Sequence, residues 1–564
     1  MKKHPFTITF ILAFMSTHLL VCVNATTQAS PESYWRHSSD FARFHIVIPT
    51  DASPMLQKAG KEFQRLWKAC THRPITKSFI NEGMTNIWLG TRTIPDDLFP
   101  ADELERFHTE EYVVQTYTPT QRAAEKGAQK QLIIAGGSEF AVLYGMYAFF
   151  SQEVGVSFLE PALTYTPHVP GGINEISLRG VPDFSVREIG LLSRFTEGVQ
   201  EYRYAHRLTP VAFPEPGCPD YYDALLVEST EGSAEKNTVV YGEESGALRL
   251  FEEIKMVLAG SGDTEPHGEK WFWKDPINGT TTWLLAAMTH LRPVLSNAGR
   301  ILNEREETAA AAIIHTAGDL ARLLQDAFPD ETHRVLVLLP PSFLQPPREL
   351  VPHPNVQVML STAACDFSRS LSDSSSSCNA PFAGTLEGWR KLGIPVYVYD
   401  FLTNMKDPQL PFPCLDTLQS KVLFYIQKQV EGIYFAGLPS EYAGVVDMLS
   451  LKLFSASQLM FNPDGDMESI KNLFLRGYYG PASEAVAAYL RMLDADLNAS
   501  GKPLMITDNG SWITVETLSK ADALLRSVLN DTLPDPVRDR ISPMLEGIAR
   551  CHEIRSGTAT DKDS

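Results

Sequence analysis

The chain has 564 residues, 44% of them hydrophobic, and its 49 Lys and Arg against 68 Asp and Glu give a net charge of −19. That length exceeds what one hydrophobic core supports and predicts two or three domains. The acidity excludes a nucleic-acid backbone as partner, because binding one requires basic side chains that neutralise phosphates.

Met1-Lys2-Lys3-His4 precedes an apolar run from Phe6 to Val23, broken by Thr7, Thr9 and His18 and followed by Asn24-Ala25. A charged start, a short apolar run and a small residue before the cut predict a secretory signal peptide over 1–25. The run is barely long enough to cross ~30 Å of hydrocarbon and carries polar residues, so no membrane span is expected after cleavage. The mature protein is expected to be secreted or periplasmic. Beyond Cys22 the cysteines are Cys70, Cys218, Cys365, Cys378, Cys414 and Cys551. They form no CxxC or clustered Cys/His set, and neither a metal nor a cofactor is expected. An exported setting permits disulfides, and Cys365 with Cys378, across the Ser-rich Asp373–Ser377, is the best local pair. Free buried thiols are the alternative.

His45–Ile48 reads as a strand, followed by Ser53-Pro54 and apolar residues at Leu56, Ala59, Phe63, Leu66 and Trp67. Those offsets put one stripe on a helix capped by Ser53 with Pro54 in its first turn. Strands follow at Asn86–Gly90, Tyr112–Thr116 and Gln131–Ala135, then a helix from Ser138 to Glu153 that stops at Gly155. Residues 35–165 are thus predicted to form a small α/β sandwich. Gly136-Gly137-Ser138 lacks the GxGxxG spacing and any Lys-Ser/Thr continuation, and reads as a tight turn rather than a phosphate loop. Pro161 to Pro182 reads as a linker.

Further on, Arg334–Leu339, Asn355–Leu360, Val396–Asp400 and Gly432–Ala436 are strand-like, and Thr308–Ala327 and Asp416–Gln429 are helical. Strands alternating with helices predict βα units and a parallel sheet. The spacing suits a central (β/α)8-like barrel over 180–460, with about half of its strands identifiable. A helical C-terminal region over 461–555 follows, with helices at Met467–Arg476, Ser483–Leu497, Thr514–Leu529 and Pro534–Cys551.

Several local patterns recur in a characteristic order: Gly136-Gly137 with Leu143-Tyr144-Gly145 and Gly155; Pro182-Asp183-Phe184 with Arg187; Pro340-Pro341; Cys378-Asn379 with Phe382 and Trp389; Val396–Asp400; Asn462-Pro463-Asp464 with Asp466; and Tyr478-Tyr479-Gly480-Pro481. On these residues, over about 136–490, the chain resembles an uncharacterised family of secreted bacterial proteins, a domain of unknown function similar in architecture to the α-glucuronidases. The resemblance implies the same three-part layout, a glycoside hydrolase-like barrel and carbohydrate as ligand. Two departures bear on catalysis. In the family an acidic residue and a short Cys-rich loop precede the helix at Thr308, whereas here Arg300–Thr308 runs straight on; and Cys218 stands where the resemblance leads one to expect His.

Glycoside cleavage generally needs two carboxyl groups flanking the scissile bond. Asp400, at the end of the strand Val396–Asp400, is the first candidate, as an acid on the barrel's catalytic edge or as a cap of the following turn. Glu441, after the loop Gly437–Ser440, would share that edge, or is a solvated loop acid. Glu188 follows Arg187 on the first barrel strand and is the third candidate, or half of a surface Arg-Glu pair. Trp271 and Trp273, near His267, could stack on sugar rings or fill the core. Arg187, Arg203 and Arg207 could clamp a uronate carboxylate, since guanidinium forks fit carboxylates, and Tyr399 is a further sugar contact. There is no GxSxG elbow and no HExxH. The expected activity is hydrolysis of glycosidic bonds in polysaccharides, whether acidic or not; the alternative is a non-catalytic glycan-binding or surface-scaffold protein that has lost its catalytic loop. Oligomeric state is left open.

Overall fold

The computed structural model describes residues 44–557 apart from 79–84, 92–93, 121–129, 170–174, 210–237, 260–271, 277, 286–291, 437 and 439–443. The signal expected over 1–25 lies outside the described residues, as do Cys218, Trp271 and Glu441. No described helix is long and apolar enough to cross a membrane.

The N-terminal part runs β1 (Phe44–Val47), α1 (Pro54–Thr71), β2 (Thr76–Ser78), β3 (Thr85–Gly90), α2 (Ala101–Leu104), β4 (Tyr112–Tyr117), β5 (Gln131–Gly136), α3 (Glu139–Ala148), the hairpin β6 (Ser157–Glu160) and β7 (Leu163–Tyr165), and β8 (Ser177–Gly180). Its sheet has the order β2-β1-β3-β5-β4-β8. Helix α1 starts where expected, with the Ser53 hydroxyl accepting from the Leu56 amide and Pro54 in the first turn. Leu56, Ala59, Phe63, Leu66, Trp67 and Cys70 are its buried stripe. Ser138 caps α3 in the same way, its hydroxyl accepting from the Ala141 amide. Helices α1 and α3 pack together and onto the sheet.

The central part runs β9 (Val186–Ile189), α4 (Val199–Ala205), β10 (Thr238–Tyr241), α5 (Glu244–Leu258), β11 (Phe272–Lys274), β12 (Thr281–Leu284), β13 (Arg292–Leu295), α6 (Asn297–Glu306), α7 (Ala311–Ala327), β14 (His333–Leu339), β15 (Val356–Ser361), α8 (Asn379–Lys391), β16 (Val396–Asp400), α9 (Leu415–Gln427), β17 (Gly432–Phe435) and α10 (Leu449–Phe461). Its main sheet has the order β11-β12-β14-β15-β16-β17-β9, parallel throughout except for β11. The earliest strand of this part, β9, thus pairs with the latest, β17, as barrel topology requires.

The (β/α)8-like barrel expected over 180–460 is present, among the described residues, as a curled parallel half-barrel. Among the described residues β10 and β13 pair only with each other, and β11 turns antiparallel at the edge. Pro293 within β13 has no amide hydrogen to give a second neighbour.

Helices α11 (Met467–Tyr479), α12 (Ser483–Ser500), α13 (Val515–Ser527) and α14 (Asp535–Ser556) complete the chain. The connection between α12 and α13 lies across the loops that follow β15 and β16. The Phe367 amide donates to the Leu504 carbonyl at 2.8 Å and the Met405 amide to the Ile506 carbonyl at 2.7 Å, while Leu504 donates its own amide to Asp366. The segment that joins α12 to α13 therefore lies over the loops at the carboxyl ends of β15 and β16.

Candidate functional site

Parallel register decides which side chains can meet, because successive residues of a strand point to opposite faces. Ser361, Tyr399, Tyr434 and Glu188 are partners across β15, β16, β17 and β9 and share one face. Asp400 pairs with Phe435, and Phe435 with Ile189, each one residue beyond its strand's member of that row. Asp400 therefore occupies the opposite face from Glu188.

That opposite face is covered by helices. Asp400, expected at an open edge, is fully buried. Its Oδ2 lies 2.8 Å from Lys421 Nζ and accepts from the Tyr425 hydroxyl at 2.9 Å. Its Oδ1 accepts from the Thr362 hydroxyl at 2.6 Å and the Phe401 amide at 2.8 Å. Lys421 and Tyr425 are one turn apart on α9, and the Lys421 ammonium also sits 4.1 Å from the Phe367 ring centroid. Burial, and then the Asp400 charge, push the Tyr425 hydroxyl well above its ordinary pKa. The assembly is a charge-balanced, donor-saturated carboxylate that ties β16 to the following helix.

On the other face Glu188, also buried, accepts from Nη1 and Nη2 of Arg203 on α4, at 2.6 and 2.7 Å. Arg203 donates further to the Thr209 carbonyl at 2.6 Å. Burial opposes charge on Arg203, but Glu188 more than offsets it and raises the guanidinium pKa. Beside this pair the Tyr399 and Tyr434 rings stack at 5.5 Å, 13° from parallel. At the start of β17, Gly432 leaves room for its neighbours on both sides: a Cβ there would fall 2.7 Å from Val186 Cβ and 2.9 Å from Tyr397 Cδ1.

The arginines expected to clamp a uronate have internal duties instead. Arg187 is fully buried, paired with Glu110 at 2.5 Å and donating to the Arg207 carbonyl at 2.7 Å. It joins β9 to the loop before β4. Arg207, 4% exposed, lies over Phe461 and Tyr112, 4.8 and 5.9 Å from the ring centroids. Its Nε and Nη2 have no hydrogen-bond partner among the described residues. Trp273 is buried on β11, on the core side of the two readings offered for it.

Cys365 and Cys378 are separate thiols, which corrects the disulfide expectation. Asn379 closes that loop in place of a covalent bond, its amide donating to the carbonyls of Asp366, Arg369 and Ser370 and its oxygen accepting from the Asp366 amide. Burial and the nearby Asp400 push the Cys365 thiol up to about 12.

Sequence reasoning did not pick out Lys421, Tyr425 or Thr362. The available signal was a lysine and a tyrosine at i, i+4 on the otherwise apolar face of α9, just downstream of a strand ending in Asp.

Residues 297–491 match the model of a family described as a domain of unknown function, DUF4838. No curated protein matches the sequence. Among solved structures, the chain is similar to a family GH115 4-O-methyl-α-glucuronidase with specificity for decorated arabinogalactans, at 10% identity and a TM-score of 0.50, covering 90% of this chain and 72% of that one. It is also similar to a GH138 enzyme targeting pectin rhamnogalacturonan II, at 10% identity and a TM-score of 0.45 over 90% of this chain and 68% of that one. A family 89 glycoside hydrolase from Clostridium perfringens aligns at 9% identity and a TM-score of 0.40, over 90% of this chain and 64% of that one. The α-glucuronidase alignment carries the likeness of fold.

Proposed function

We propose that this protein is an exported glycan-recognising protein on a glycoside hydrolase-like scaffold, which binds carbohydrate without cleaving it through Asp400 and Glu188. The observation behind this reading is that the two carboxylates occupy opposite faces of the sheet, each balanced by its own buried cation, Lys421 or Arg203. A glycosidase needs both carboxyl groups on one bond, roughly 5 to 10 Å apart across a shared space. A sheet separates these two. The run from Arg300 to Thr308, without the acidic loop implied by family resemblance, agrees with loss of turnover.

The ligand class in this reading is a decorated polysaccharide, and what supports it is the likeness of fold to the α-glucuronidase with specificity for decorated arabinogalactans. The test is a glycan array that includes decorated arabinogalactan and rhamnogalacturonan fragments, run beside an aryl-glycoside and uronic-acid oligosaccharide activity screen. Binding without product supports the reading. Turnover that disappears in a folded Glu188→Gln variant overturns it.

A further inference from the structure

The sequence holds two Asn-Gly pairs, Asn278-Gly279 and Asn509-Gly510. A glycine after an asparagine leaves the asparagine's side-chain carbonyl carbon open to attack by the next main-chain nitrogen, because no Cβ crowds the approach. Both asparagines are exposed, and both glycines lie at positive φ, +75 and +74. In both turns the asparagine Oδ1 accepts from the amide two residues on, that of Thr280 at 2.9 Å and that of Ser511 at 3.2 Å.

The two turns differ at the nitrogen that would attack. The Gly279 amide donates to the Asp275 main-chain carbonyl at 2.9 Å, an acceptor that cannot take up a proton. The Gly510 amide donates to a carboxylate, Asp508 Oδ1, at 2.6 Å. Burial raises the pKa of Asp508, against the Gly510 amide, the charge of Lys502 and the Ser511 amide, and a raised pKa makes the carboxylate a stronger base. Nucleophile, base and a polarised carbonyl oxygen thus stand together on four consecutive residues, the set that general-base activation of a nucleophile requires.

We infer that Asn509 is a self-modifying site, cyclised by attack of the Gly510 nitrogen with Asp508 as the base. The Gly510 nitrogen bonds to Asn509 Cγ and passes its proton to Asp508 Oδ1, while the oxyanion forming on Asn509 Oδ1 faces the Ser511 amide. Asp508 returns the proton to Asn509 Nδ2, the Cγ–Nδ2 bond breaks, ammonia leaves and a succinimide remains. Water then opens either imide carbonyl, giving aspartate or isoaspartate. Isoaspartate carries the main chain through one extra methylene. Position 509 lies between two anchors of the connection from α12 to α13: Asn404 Nδ2 donates to the Asp508 carbonyl at 2.6 Å, and Arg555 Nη2 donates to the Gly510 carbonyl at 3.2 Å.

The test is incubation of the folded full chain at neutral pH, followed by peptide mapping that separates asparagine, succinimide, aspartate and isoaspartate at both positions. Asn509 should convert roughly tenfold faster than Asn278 in the same sample, or more. Asp508→Asn, which can still accept from the Gly510 amide but takes up no proton, should remove that lead and leave Asn278 unchanged. In urea the folded contacts are gone and the two rates should come together, a comparison that holds even where the variant fails to fold. Equal rates at the two positions in the native protein, a lead for Asn509 that survives Asp508→Asn in a folded variant, or a lead that persists in urea overturns the inference.

Discussion

Asp400 and Glu188 belong to neighbouring rows of one parallel sheet and point to opposite sides of it, the first toward Lys421 on α9 and the second toward Arg203 on α4. A strand ending in Asp therefore serves here to fasten a helix to the sheet. Removing one partner of such a buried pair strands the other, and that cost exceeds anything the pair itself contributes.

Asp400→Asn should accordingly destabilise the protein by about 3–5 kcal/mol, because Lys421 is left buried without a counter-ion. Urea unfolding measures this. The double variant Asp400→Asn/Lys421→Met should recover part of the loss. An Asp400→Asn variant as stable as wild type would show that the carboxylate is not a structural element.

Two neighbouring arginines should respond differently to the same change. Arg187→Met orphans Glu110 in a buried site and should cost about 3–5 kcal/mol. Arg207 has no carboxylate partner among the described residues and is held by ring faces, contacts worth about 0.5–2 kcal/mol against the cost of burying its charge. Arg207→Met should remain within about 1 kcal/mol of wild type or be more stable. Thermal unfolding of both variants in one buffer makes the comparison.

Asp494 supplies the pH dependence. Burial, with the charges of Asp416 and Glu468, pushes its carboxyl up to about 7 against a pull from Lys471. The unfolded chain releases this proton near 3.8, so between those values the folded state binds more protons than the unfolded one. Stability therefore falls as pH rises through this window, and the loss is complete above about 7. Asp494→Asn should remove that slope and be more stable than wild type at alkaline pH by about 1–2 kcal/mol, allowing for partial solvent screening. Unfolding midpoints across the window would show it; identical slopes in the two proteins would contradict it.

With Cys365 and Cys378 as separate thiols, reducing agent should leave the melting temperature unchanged. A disulfide closing so short a loop would contribute roughly 3 kcal/mol, and its reduction would be plain in the melt. Cys365, Cys414 and Cys551 are buried, Cys378 only partly, so Cys378 should be the first of these four to react with a thiol reagent in the native protein.

Much of this fold was legible wherever local chemistry and tertiary packing agree. Ser53-Pro54 with the stripe Leu56 to Trp67 fixes α1, and β-branched runs such as Val335–Leu338 and Val396–Val398 mark the strands of the parallel sheet. Helix α10 escaped notice because it is buried nearly all round, so its apolar residues show no helical stripe. Strands β10 to β13 are only three or four residues long, too short for alternation to register. The site was less legible than the fold for a different reason. Val396-Tyr397-Val398-Tyr399-Asp400 shows alternation, but not which alternate face the sheet turns toward helices. That depends on Lys421, and the sequence offers no sign that a lysine on an apolar helix will seek that particular carboxylate.

The most direct measurement is the fate of a bound glycan. After prolonged incubation of wild-type protein with an array-positive oligosaccharide, mass analysis should recover the ligand intact, with the same result for folded Glu188→Gln. Release of shorter sugars by wild type, abolished in folded Glu188→Gln, would contradict the account.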